Sequence, residues 1–107
     1  MNVYRQGDVL IRAIAAIPAD AKDVTPKGRI VLAHGEVTGH AHAIAEGHAR
    51  EFSLADATGA VRRFLRVVCD AAQVRHEEHA PIPLPPGAYE IVQQREYTPE
   101  EIRNVAD

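Results

Sequence analysis

A single cysteine, Cys69, stands among the 107 residues, so the chain can form neither an internal disulfide nor a multi-cysteine zinc site. Flanked by Val67, Val68 and Ala71, it reads as a small buried apolar residue. Tryptophan is absent and aromatics make up only 5%. Hydrophobic residues reach 46%, but much of that is alanine. Large core fillers are scarce, so a metal staple or a second copy would add stability, and a homodimer is expected. The formal charge is −3 and no basic tract occurs. Arg62, Arg63, Arg66, Arg75, Arg95 and Arg103 are scattered over solvated faces, which argues against a nucleic-acid partner. No apolar run approaches membrane-spanning length, and MNVYRQGDVLIR lacks an apolar signal core. The expectation is one domain over residues 1–107, cytoplasmic, with no membrane partner.

What is present is a succession of short β-prone segments. Val3 and Tyr4, then Val9 to Ile11, flank a turn or bulge at Gln6-Gly7-Asp8. Pro18, Pro26 and Gly28 leave residues 13–28 as loop. Strands are expected at Arg29 to Ala33, in Glu36 to Glu46, at Glu51 to Leu54 and at Val61 to Val68, the last two joined by a hairpin turn at Asp56 to Gly59. Gln73 to Glu78 reads as another. Pro81, Pro83, Pro85 and Pro86 forbid helix over 81–86, and Gly87 leads into a strand from Ala88 to Gln94. Thr98-Pro99-Glu100-Glu101 is a capping box for a short C-terminal helical turn. The fold class is therefore mainly β, a small β-barrel or sandwich.

Chemistry concentrates in the histidines. In His40-Ala41-His42, strand alternation turns both imidazoles to one face and Ala41 and Ala43 to the other. The second pair, His76-Glu77-Glu78-His79, has awkward parity: on a strand His76 shares a face with Glu78, whereas on a helical turn it would meet His79. His76 is expected as a ligand, with His79 either a ligand from a bend or a group behind the ligands, and Glu78 the alternative. Imidazole donors in this pattern suit zinc first, with iron, nickel, copper or manganese as alternatives. Glu36, Glu46, Glu77 and Glu78 are candidates for a fourth ligand, a general base or an orienting carboxylate. His34 and His48, each beside a glycine, read as solvated turn histidines.

The expected function is a metal centre with an open position, activating water for hydration or hydrolysis of a small-molecule substrate, as a lyase or hydrolase. Glu77 or Glu78 would shuttle the proton, and Tyr97 or Gln94 would orient substrate. The alternative is a closed, non-catalytic site that staples the fold or joins two subunits.

These segments resemble a group of small uncharacterised bacterial proteins. The shared features are Y-R-Q-G-D-V-L (Tyr4 to Leu10), G-E-V-T-G-H-x-H (Gly35 to His42), H-E-E-H (His76 to His79), P-x-G-x-Y (Pro85 to Tyr89), Q-R-E-Y (Gln94 to Tyr97) and V-x-D (Val105 to Asp107). The resemblance spans nearly the whole chain and implies no particular activity. A second, partial resemblance is to cupins: His40 to Glu46 matches H-x-H-x3-E, and Pro85-Pro86-Gly87 is similar to the P-x-G of the second cupin motif. It implies a small β-barrel, with an iron site as an alternative. Position 90, where a cupin carries its next ligand histidine, is Glu90 here.

Overall fold

Alternating apolar and polar residues drive the chain into short strands that each bury one face. The computed structural model describes residues 2–34, 40–70, 72–77 and 79–93. Along these run β1 (Val3–Gln6), β2 (Val9–Ile14), β3 (Lys22–Asp23), β4 (Ile30–His34), β5 (Ala41–Ile44), β6 (Ala49–Ala55), β7 (Val61–Val67), β8 (Ala72–His76), β9 (His79–Leu84) and β10 (Gly87–Gln93). They form two antiparallel sheets, one ordered β1-β2-β10-β7-β6-β3 and the other β4-β5-β8-β9. The sheets do not close into a barrel, so the sandwich arrangement is the one realised. Among the described residues there is no helix, and hence none long and apolar enough to cross a membrane. The expected helical turn at Thr98 lies outside the described residues.

The core fills the space between the sheets. Val9, Ile11, Leu65, Val67, Tyr89 and Ile91 come from the larger sheet, and Ile30, Leu32, Ile44, Ala72, Val74 and Leu84 from the smaller. Phe64 is also fully buried, but on the other face of β7, beside its cross-strand partners Phe52 and Glu90 and with the Arg62 guanidinium 5.2 Å from its ring centroid. Cys69 is half-buried against the core. A register shift in β4 between Val31 and Ala33 is bridged by Arg63 of β7, which donates to the carbonyls of Val31 (2.9 Å) and Leu32 (2.7 Å) and pairs with Glu51. One side chain thereby satisfies backbone acceptors of the opposite sheet.

Most expected strands are present: β1, β2 and β6 run longer than expected, β4, β8 and β10 are shifted by a residue or more at their ends, and the 13–28 loop also carries the two-residue β3, paired to β6. The proline-rich segment is β9, at the edge of the smaller sheet, where a missing N–H costs no ladder bond. The β6–β7 turn is held by Asp56, whose carboxylate accepts from the Thr58 N–H (2.8 Å), the Thr58 hydroxyl (2.6 Å) and the Ala60 N–H (3.1 Å).

Candidate metal centre

Two hairpin tips and one strand end meet at one end of the sandwich. In β1–β2, Gln6 pairs with Val9 across a two-residue turn, Gly7-Asp8, and Gly7 takes the positive φ (61°) that such a turn requires. In β8–β9, His76 pairs with His79 across Glu77 and Glu78. His40 directly precedes β5, and His42 lies within it.

The second hairpin corrects the expectation for residues 73–78. The strand stops at His76 and reverses, so His76 and His79 share neither one strand nor a helical turn. They oppose each other across an antiparallel ladder, where facing residues project to the same side. Their ring centroids lie 4.7 Å apart. His76 lies 4.3 Å from His42 and 5.7 Å from His40, and His42 lies 5.7 Å from His79. The four expected histidines are thus linked by a chain of ring contacts, His40 to His76, His76 to His42 and His79, and His42 to His79. Ligand atoms of His40, His76 and Glu77 fall within 4.8 Å of one another, close enough to hold one ion after small side-chain adjustment. Exposure grades from His42, buried at 2%, through half-buried His40 and His76 to exposed His79 and Glu77, so the cluster opens to solvent at one side. His34 and His48 are exposed at strand ends, as solvated turn histidines should be. Glu46 is exposed in the turn after β5. Glu36, Glu78, Gln94 and Tyr97 lie outside the described residues.

The β5–β8 ladder is registered at Ile44–Val74 and Ala43–Arg75. Farther toward the site, the Ala41 N–H turns to the Glu77 carboxylate, donating to Oε1 at 3.0 Å. That bond holds the Glu77 carboxyl below its ordinary range, so it is ionised at neutral pH.

His42 is oriented by a residue whose role sequence reasoning missed. Gln6 Nε2 donates to the Val74 carbonyl (3.0 Å) and the Ala80 carbonyl (2.9 Å). Reversing the amide would set its oxygen against two carbonyl oxygens, so its orientation is fixed. Oε1 can only accept, and it lies 2.8 Å from Nδ1 of His42. Nδ1 therefore carries the proton, and in the neutral ring Nε2 carries the lone pair. Burial holds the His42 imidazole below its ordinary 6.5, with His76 adding to the effect and Asp8 opposing it. The signal available in the sequence was the turn itself, an amide and a carboxylate flanking a glycine.

Glu90, at the position of the later cupin ligand, is committed elsewhere. It is buried in the larger sheet and paired with Arg12 (2.6 Å) and Arg62 (3.0 Å). In comparison with known proteins, a family model described as a domain of unknown function, DUF8820, matches residues 5–94. No curated protein and no solved structure matches the chain.

Proposed function

The chain belongs to the DUF8820 family, a domain of unknown function, and from the geometry of its histidine cluster we propose that it is a divalent-metal protein, zinc first, that activates water for hydration or hydrolysis of a small substrate. The observation that carries this reading is the convergence of His40, His42, His76 and His79, with His42 buried and its Nε2 lone pair fixed by Gln6. Buried imidazole held neutral and in one tautomer is what a metal ligand requires. A zinc ion in an open nitrogen-donor site lowers the pKa of a bound water to about 7. The solvent-facing side of the cluster gives a small substrate access. Glu77, ionised and anchored through Oε1, adds a negative charge beside His40 and His76 and is a base for proton transfer. Iron, nickel, copper and manganese are the alternative occupants of the same donor set.

The test is element-resolved metal content of tag-free protein purified without chelator, with the double variant His40→Ala/His42→Ala alongside. Bound zinc in the wild type and its loss in the variant are expected, together with carbon dioxide hydration or ester hydrolysis that follows metal content. Equal occupancy in both proteins would refute the ligand set. An inert, fully loaded wild type would refute the catalytic part.

A second reading is favoured by the loosened β5–β8 ladder. An ion at that end would tie together strands that backbone hydrogen bonds leave to Glu77, acting as a staple for a small alanine-rich fold. Absorption spectroscopy at the metal edge separates the two: three protein donors plus water mark the catalytic site, four protein donors the staple.

A further inference from the structure

The Gln6-Gly7-Asp8 turn lies against the histidine cluster but plays no part in the ligand set above. Its position there is close. A side-chain carbon added at Gly7 would lie 3.2 Å from Cε1 of His42 and 3.3 Å from Nε2 of His79. On the far side of Gly7, Oδ1 of Asp8 lies 3.8 Å from Nε2 of His42. The other carboxylate oxygen, Oδ2, accepts from Nε2 of Gln93 at 3.0 Å, which leaves Oδ1 on the His42 side.

Two acceptors therefore face each other. With the His42 proton on Nδ1, Nε2 presents a lone pair, and the carboxylate oxygen opposite has no proton to give. Such a pair is repulsive unless a cation lies between. Donors about 2.1 Å from a tetrahedral ion are about 3.4 Å apart, so 3.8 Å is within a few tenths of an ångström of shared coordination. Each donor is also held from behind, His42 by Gln6 and Asp8 by Gln93, as metal ligands typically are.

We infer that this turn forms a wall of the metal centre: Asp8 supplies a carboxylate ligand to the ion held by His42 Nε2, and Gln6 is the positioning residue that keeps that nitrogen turned toward it. The inference rests on the metal-binding reading above and changes its donor set to histidine nitrogen plus a carboxylate from the opposite sheet. The centre then joins the two sheets, because β1 and β2 belong to one and β5, β8 and β9 to the other.

The experiment uses the full chain, stripped of metal and titrated with zinc alone. In long-range 1H–15N spectra of the metal-free wild type, His42 is expected as the neutral Nδ1–H tautomer. Gln6→Leu should lose that signature and weaken zinc binding about 10–100-fold. Asp8→Asn should weaken zinc to a similar degree with the tautomer intact. Should a variant fail to fold, the wild type gives an independent measurement: the Asp8 carboxylate 13C resonance should shift when zinc is added. An imidazolium at His42 near neutral pH would mean that a proton bridges the pair, and would overturn the inference. Wild-type zinc affinity in Asp8→Asn, or an unmoved Asp8 resonance, would overturn it while leaving the histidine site standing. A wild type that takes no zinc would overturn both.

Discussion

Gly7→Ala separates backbone strain from damage to the site, because the chain contains its own control. Gly7 and Gly47 both have positive φ, 61° and 86°. An L-residue in that region costs about 1–2 kcal/mol, partly offset by about 0.4–1 kcal/mol of lost unfolded-state entropy. At Gly47 an added methyl meets nothing within 4 Å, so Gly47→Ala should cost about 1 kcal/mol and leave the site unchanged. At Gly7 the same strain is joined by contacts of 3.2 Å to His42 and 3.3 Å to His79, tighter than ordinary van der Waals contact. His42 is tied to Gln6 and buried, so exposed His79 must give way by a few tenths of an ångström. Zinc affinity should fall about tenfold, equivalent to about 1.4 kcal/mol. Urea unfolding of the stripped proteins measures the strain, and competition with a chromophoric chelator measures the affinity. The reasoning fails if Gly7→Ala binds zinc as tightly as Gly47→Ala.

Two further outcomes follow from charge. Glu90 is buried between Arg62 and Arg12, and the Arg62 guanidinium holds its carboxyl below the ordinary 4.5. Glu90→Gln should cost about 1–2 kcal/mol at neutral pH by urea unfolding. Stability from a depressed carboxyl is full above 4.5 and lost as pH falls through the folded value, so the difference between wild type and variant should shrink in acid; a constant difference would count against the charge. His42 has a folded pKa below 6.5, so between the two values the unfolded chain binds more protons. Metal-free wild type should therefore lose stability as pH falls from 6.5 toward the folded value, and His42→Gln should flatten that limb. A urea midpoint that rises as pH falls through this window would contradict the assignment.

The sequence made half of the site legible. His40 and His42 are picked out by a period of two, although only His42 lies within β5 and His40 directly precedes it. His76 and His79 resisted the same logic, because their three-residue offset suits a helix and defeats a single strand. A two-residue hairpin resolves it, by turning sequence offset into cross-strand opposition. The proline run that follows suggests a bend at Glu78-His79, but not that His76 itself would end its strand and face His79, because glutamate is not a typical turn former. Gln6 and Asp8 were harder still. Their turn was legible, but its approach to β8 and β9 depends on how two sheets stack, and no local pattern encodes that. The Gln6–Asp8 turn lies 32 or more residues before the histidine-rich segments and meets them only where the two sheets come together.

Pro81 and Pro83 also bear on how copies of this chain can associate. Pro83 opposes Gln73 on β9, the last strand of the smaller sheet among the described residues, and Pro81 lies at the register shift between Val74–Ile82 and His76–His79. Neither has a backbone N–H to offer a further strand. Proline at these positions disfavours strand addition by a neighbouring copy along β9.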